Sequence, residues 1–384
     1  MNAAAVQEGS TRAPEDPALA LFGVLGEDGL VAPGARMSAS DELLVEMYRQ
    51  MRRVRMLDER MVTLQRQGRV GFYGACTGQE AAVVGVGLAA APEDWIFPAL
   101  RENAIMLVRG YPLTSYIAQV YGCALDPAKG RQMPAHVSSR SVRQVSWSSC
   151  IGTQLPHAVG AAWAAKLRGD SMVTVGFLGD GATSASDFHG AMNFVGVFQV
   201  PTVLICQNNQ WAISVPLARQ TAAASIALKA RAYGVHALRA DGTDVVAVHQ
   251  VVSEALSRAR SGAGPTFIEL VTYRVAPHST SDDPTRYRSN DDVEAWLRRD
   301  PLERLRRYLE SKGLFGAEQA DGFERETLEV IKRAIDEVET SGPPDRASLF
   351  DDVYAELPWH LVEQRNLLEK TAREPHRKLS ESGT

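Results

Sequence analysis

Two short segments hold residue types suited to a phosphate and a divalent cation: Gly179-Asp180-Gly181-Ala182 and Gln207-Asn208-Asn209-Gln210-Trp211. Each follows an apolar run that reads as a buried strand, and ligands of open α/β sheets sit beyond the carboxyl ends of strands. The glycines let the backbone turn sharply and approach a ligand closely. The helix expected after the first segment offers free N–H groups and a positive dipole end, which suits phosphate. A carboxylate at Asp180 would repel that phosphate unless a cation lay between them, so a magnesium ion is implied. Magnesium takes six oxygens and few of them from protein. Asp180, the side-chain carbonyl of Asn209 and a backbone carbonyl near Trp211 leave room for phosphate oxygens and water. A lone GDG is a common turn. Two such sites at consecutive strand ends, with the ligands 29 residues apart (209 − 180), form a far more specific pattern.

The elements that must position them can be read from periodicity. Met172–Leu178, Thr202–Cys206 and Thr266–Arg274 are apolar and β-branched, as expected of strands buried on both faces, and His236–Arg239 is a weaker candidate. Helical patterns at 185–197 and 244–260 alternate with them. The fold class is therefore α/β, with a doubly wound parallel sheet flanked by helices. Ser40 is a plausible cap for a helix that follows it and ends before the GRVGFYG stretch at 68–74. Residues 77–91 form a helix of small residues. A polar loop spans 276–290, and helical pattern returns from 292 to about 339. Three units are expected: an N-terminal arm over 1–38, ordered only against a partner or not at all; the α/β domain over 39–345; and a C-terminal helical segment with a frayed tail over 346–384.

The bulk properties narrow the function. The chain has 384 residues, 45% hydrophobic and 23% charged, with net charge −5. It carries no electrostatic footprint for nucleic acid and no apolar run long enough for a membrane helix. The first residues do not read as a secretory signal, and the four cysteines lack metal spacing. A cytoplasmic protein with reduced thiols is expected.

GDG followed by a paired asparagine after one helix and one strand resembles the thiamine-diphosphate motif. Other segments extend the likeness over roughly residues 40–370. RQGRVGFYG at 66–74, YPLTSYIAQVYG at 111–122, GTQLPHAVGAAWAAK at 152–166, HSTSDDPTRYRS at 278–289 and LFDDVYAELPWHL at 349–361 resemble alpha subunits of branched-chain 2-oxo acid dehydrogenases. The resemblance implies that Asp180, Asn209 and the Trp211 carbonyl hold Mg2+, with Gly179, Gly181 and Ala182 against the diphosphate. It implies that Arg101 and His278 meet the diphosphate, His278 also meeting the reacting intermediate, and that Ser149 and the Ile151 carbonyl lie near the pyrimidine. Ser148, Thr153 and Gln154 match a stretch that holds a monovalent cation, K+, in relatives. Phe72, Leu100 and Ile151 are candidates for the pocket wall. The chain departs from the pattern where Leu100 replaces a common Tyr, Gln207 replaces an Arg and Cys150 replaces a Pro. Ser279 matches a serine phosphorylated in animal relatives.

Enzymes using this cofactor need a second domain that presses a glutamate on the pyrimidine, and no second α/β domain of comparable size is left in the chain. The resemblance thus implies an alpha-2-beta-2 assembly with a separate beta subunit. It further implies oxidative decarboxylation of a small 2-oxo acid and acyl transfer to a lipoyl-bearing acyltransferase. Pyruvate dehydrogenase and acetoin dehydrogenase alpha subunits are the alternatives within that chemistry. A non-catalytic nucleotide-binding module is the alternative outside it, and the absence of GxxxxGKS/T and of GxGxxG after a strand speaks against it.

Overall fold

In the computed structural model, which describes residues 19–280 and 282–373, the apolar runs become buried parallel strands. Helices α1 (Asp41–Arg66) and α2 (Glu80–Ala89) precede a short strand β1 (Trp95–Phe97). Helices α3 (Ile105–Val108), α4 (Leu113–Tyr121) and α5 (Gln154–Arg168) lead to β2 (Thr174–Gly179). Then come α6 (Ser186–Phe198), β3 (Thr202–Asn208), a small ribbon of β4 (Trp211–Ala212) and β5 (Val215–Pro216), and α7 (Ala227–Arg231). Strand β6 (His236–Asp241), α8 (Val245–Arg260) and β7 (Thr266–Val271) complete the sheet. Helices α9 (Asn290–Leu297), α10 (Pro301–Ser311), α11 (Ala317–Thr340) and α12 (Trp359–Arg373) follow.

The sheet runs β1-β2-β3-β7-β6, and every neighbouring pair is parallel. Alternation along β3 explains why it is covered twice. Val203 and Ile205 pack with α2 and α8, while Leu204 and Cys206 pack with α5, α6 and α7. All four are essentially inaccessible to solvent. Small residues bring the layers close: a Cβ on Gly85 of α2 would lie 2.9 Å from Val248 Cβ of α8. The Ser40 hydroxyl caps α1 by accepting from Leu43 N–H at 3.3 Å, as its sequence position predicts.

Several boundaries differ from expectation. Residues 19–38 do not stand free. Phe22 bonds to Arg239 and Asp241 on the edge strand β6, and Leu19, Val24 and Leu25 are buried. One carboxylate explains much of this docking: Asp244 caps α8 and also accepts the N–H groups of Val24 and Leu25, each at 2.7 Å. The rest of the expected arm, 1–18, and the expected frayed end, 374–384, lie outside the described residues. Helix α2 starts three residues late because Gly78 has φ +87°, a conformation that resists helix. A 3-10 turn, Asp180–Ser184, separates β2 from α6, so no α-helix begins directly at GDG. The helical pattern from 292 breaks into α9, α10 and α11, and the C-terminal helix begins only at Trp359.

Gly196 on α6 faces the Tyr233 carbonyl, which a Cβ would approach to 2.0 Å. Alanine normally gains about 1 kcal/mol over glycine in a helix. Here Gly196→Ala is expected to destabilise by about 1–3 kcal/mol, because α6 or the 233 turn must move. Thermal unfolding checks this, and an unchanged or higher melting temperature would contradict it.

Candidate active site

The carboxyl ends of four adjacent strands open on one cavity of about 550 Å³. The chain after β1 supplies Leu100, Arg101 and Glu102. The turn after β2 supplies Gly179 to Ala182. The chain after β3 supplies Asn209, Trp211 and Ile213, and the chain after β7 supplies Arg274, His278 and Ser279. The loop before α5 adds Trp147, Ser148, Ser149 and Ile151, and Phe72 and Gln79 enter from between α1 and α2.

One corner of the cavity carries oxygen donors. Asp180, almost fully buried, accepts from Gln220 Nε2 at 2.8 Å, and burial pushes its carboxyl above the usual range. A bound cation would reverse that shift. β2 and β3 are paired with Gly179 opposite Gln207, which brings Asp180 and Asn209 to the same edge. The Asn209 amide nitrogen donates to Gln79 Oε1 at 3.2 Å. The Trp211 carbonyl accepts from Arg274 Nη1 at 3.3 Å. The turn itself is tight: a Cβ on Gly181 would meet Ala212 Cβ at 2.6 Å, so no larger residue fits there.

Another side of the cavity carries uncompensated positive charge. Arg101 is 6% exposed and donates to two carbonyls, those of Ala75 and of His278 (2.8 Å for the latter). Arg274 donates to the Trp211 and Ile213 carbonyls and to the Tyr287 hydroxyl. Among the described residues neither guanidinium forms an ion pair. Burial, reinforced by the charge of Arg274, pulls Arg101 down to about 10. Buried charge without a partner is costly, so the cavity favours an anion. Three buried polar atoms of its lining residues, the donors Gln79 Nε2 and Arg274 Nε and the acceptor Gln207 Oε1, also lack a hydrogen-bond partner.

His278 sits in the loop after β7. Its backbone N–H donates to Asp282 Oδ2 at 2.7 Å, and the Tyr287 hydroxyl donates to the same oxygen. Burial, then the charges of Arg101 and Arg274, push its imidazole down to about 4. It is therefore neutral at pH 7 while the cavity holds no anion. Glu102 is pushed up to about 7 by burial, and its carboxylate accepts from Ala99 N–H at 2.9 Å.

The cavity wall includes Arg101, Ser148, Ser149, Ile151, Gln154, Gly179, Asp180, Gly181, Ala182, Asn209, Trp211 and His278, all singled out from the sequence. Thr153 does not line it. Its hydroxyl turns back to the Cys150 carbonyl at 3.0 Å. Gln154 spends its amide nitrogen on the Phe177 carbonyl at 2.8 Å. Ser148 Oγ accepts from Cys150 N–H, and Ser149 Oγ lies 3.2 Å from His136 Nε2. Phe72, Leu100 and Ile151 all lie on the wall as expected. Sequence reading missed Gln79, Glu102, Arg274 and Gln220. Arg274 ends the apolar run of β7, and the rule for strand ends would have found it. Gln79 and Gln220 carry no local signal.

The fold and cavity define an α/β protein with a cationic cavity suited to an acidic ligand, and a cluster of oxygen donors beside it, at the carboxyl edge of a doubly wound sheet. Residues 48–346 match the dehydrogenase E1 component family, and the chain belongs to it. The 3-methyl-2-oxobutanoate dehydrogenase subunit alpha of Mycobacterium tuberculosis is 42% identical over 90% of this chain and 92% of its own. The 2-oxoisovalerate dehydrogenase subunit alpha of Pseudomonas aeruginosa is 39% identical over 92% and 88%. The mitochondrial 2-oxoisovalerate dehydrogenase subunit alpha 1 of Arabidopsis thaliana is 38% identical over 92% and 76%. The family uses thiamine diphosphate, and an alpha subunit of this kind works with a beta subunit. The residues present fit that cofactor. Unpaired arginines, orphaned donors and a glycine turn suit a diphosphate, and Asp180 with Asn209 suits a metal that prefers oxygen.

The state of His278 gives a direct check. Its folded value lies below its ordinary 6.5, so the folded chain binds fewer protons and loses stability as pH falls from about 6.5 through about 4. NMR titration of the chain without cofactor is expected to give a midpoint near 4, rising when an anion neutralises the arginines. A midpoint near 6.5 before binding would contradict this electrostatic picture.

Proposed function

We propose that this chain is the alpha subunit of a branched-chain 2-oxo acid dehydrogenase. In this reading it decarboxylates acids such as 3-methyl-2-oxobutanoate within an alpha-2-beta-2 assembly. The observation that carries the reading is the convergence of Arg101 and Arg274, unpaired, on the cavity that also holds Asp180 and Asn209. The names of the relatives support the substrate class. So do the apolar side chains Phe72, Leu100 and Ile151 on the cavity wall.

Thiamine diphosphate supplies the carbanion and electron-sink chemistry that releases carbon dioxide from a 2-oxo acid. The chain's residues bind and orient. Arg101, Arg274 and His278 would meet the diphosphate, with Gly179, Gly181 and Ala182 letting it approach the backbone. Mg2+ would be held by Asp180, by Asn209 Oδ1 and by the Trp211 carbonyl, the last released in part from Arg274. With an anion neutralising the two arginines, His278 would move back toward its ordinary range, where imidazole can accept a proton near the reacting centre and return it. Ser149 and the Ile151 carbonyl would face the pyrimidine. K+ near Ser148, Thr153 and Gln154 would brace the loop before α5. The aliphatic rim supports a covering beta subunit: Ile151, Ile213 and Val215 are 63%, 54% and 42% exposed. A lipoyl-bearing acyltransferase would take the acyl group.

Decarboxylation by this chain co-expressed with its beta subunit, followed with a dye as electron acceptor, tests the reading. Preference for 3-methyl-2-oxobutanoate over pyruvate by at least about 10–200-fold in kcat/KM is expected, since a single methylene in an apolar pocket is worth about 1–3 kcal/mol. Preference for pyruvate would make it a pyruvate dehydrogenase subunit. Asp180→Ala is expected to abolish activity through lost cofactor binding, and full cofactor affinity in that variant would overturn the metal site.

A further inference from the structure

Gln79, so far considered only for its unpartnered Nε2, stands at the centre of a buried cluster of side-chain amides. It is inaccessible to solvent and immediately precedes α2. Its Oε1 accepts from Gln207 Nε2 at 2.9 Å and from Asn209 Nδ2 at 3.2 Å. With Gln79 Oε1 turned toward both neighbours, those bonds set which way the Asn209 amide points. A side-chain amide has one donor end and one acceptor end. With Nδ2 committed to Gln79, Oδ1 is the end left for a cation, its one other contact being the Trp211 N–H at 3.3 Å. Turned the other way, the Asn209 amide would set its oxygen against Gln79 Oε1 and offer hydrogens to a cation.

We propose that Gln79 is a positioning residue of the metal site, holding the Asn209 amide with its oxygen toward the cation. The inference rests on the reading that Asp180 and Asn209 bind the magnesium of thiamine diphosphate. The backbone shows why the role falls to this position. A Cβ on Gly78 would meet Val275 Cγ2 at 2.7 Å, so glycine lets the 76–79 turn press against the chain leaving β7. The Thr272 hydroxyl donates to the Gly78 carbonyl at 3.3 Å. The Cys76 N–H donates to the buried Asp58 carboxylate at 2.7 Å. The turn is thus fixed at both ends, and Gln79 has little freedom to follow a displaced Asn209. Residues that orient metal ligands typically contribute about 10–100-fold in metal affinity.

The test is Mg2+ affinity of the assembled alpha–beta enzyme at saturating thiamine diphosphate, read by calorimetry and by tryptophan fluorescence, together with the melting temperature of the cofactor-free assembly. Gln79→Met, which keeps the volume and removes the acceptor, is expected to weaken Mg2+ about 10–100-fold. Gln79→Glu keeps an oxygen that accepts from both neighbours and is expected to restore affinity to within a few-fold of wild type. A purely structural role would lower the melting temperature in both variants without that split. Should Gln79→Met fail to assemble, Gln79→Asn, one methylene too short to reach, is expected to show the same loss. Wild-type affinity in Gln79→Met or Gln79→Asn, or equal loss in Gln79→Met and Gln79→Glu, overturns the inference. Absence of any metal-dependent cofactor binding by the wild-type assembly instead overturns the reading on which it rests.

Discussion

Two guanidinium groups buried without a carboxylate are the constraint on which the site depends. Arg101 and Arg274 come from the connections after β1 and after β7, on either side of β2 and β3, and their partners are carbonyls and one hydroxyl. Neutral partners satisfy the hydrogen bonds and leave the charge uncompensated. Carboxylates act on the two guanidiniums only from a distance, Glu102 on Arg101 and Asp282 and Asp180 on Arg274, so the cavity still favours an anion in direct contact. An anion bound there stabilises the folded chain by mass action, so occupancy and the order of the surrounding loops are linked.

The sheet makes that arrangement possible. Parallel pairing aligns the ends of β1, β2, β3 and β7, so four connections that leave the same edge meet over one cavity. The connection after β7 is stitched to the connection after β3 by Arg274, which reaches the Trp211 and Ile213 carbonyls. Tyr287 binds both Arg274 and Asp282, and Asp282 holds the backbone of His278. The loop bearing His278 is therefore tied to the edge bearing Asp180 and Asn209.

Much of this was legible in the sequence. Continuous β-branched runs identified β2, β3 and β7, and the polar residues just beyond β2 and β3 proved to lie at one edge because the strands pair directly. β1 escaped because three residues leave no periodicity to read. The docked segment 19–38 escaped for a different reason. Its order comes from Asp244, more than 200 residues away, whose carboxylate takes two of its N–H groups. Gln79 and Gln220 escaped because a buried amide is recognised only by what lies across from it. His278 was found by resemblance, but its lowered value comes from burial first and the two arginines second, and could not be read from the loop itself.

The most direct measurement is a calorimetric titration of thiamine diphosphate with Mg2+ into the purified chain alone and into the chain assembled with its beta subunit. The cavity gathers the residues proposed for phosphate and cation, but exposed aliphatic residues form its rim where a pyrimidine would be enclosed. Binding is expected to be weak in the chain alone and at least 100-fold tighter in the assembly, or about 2.7 kcal/mol. Equal affinity in both would contradict the proposal that this chain supplies only the diphosphate half of a shared site.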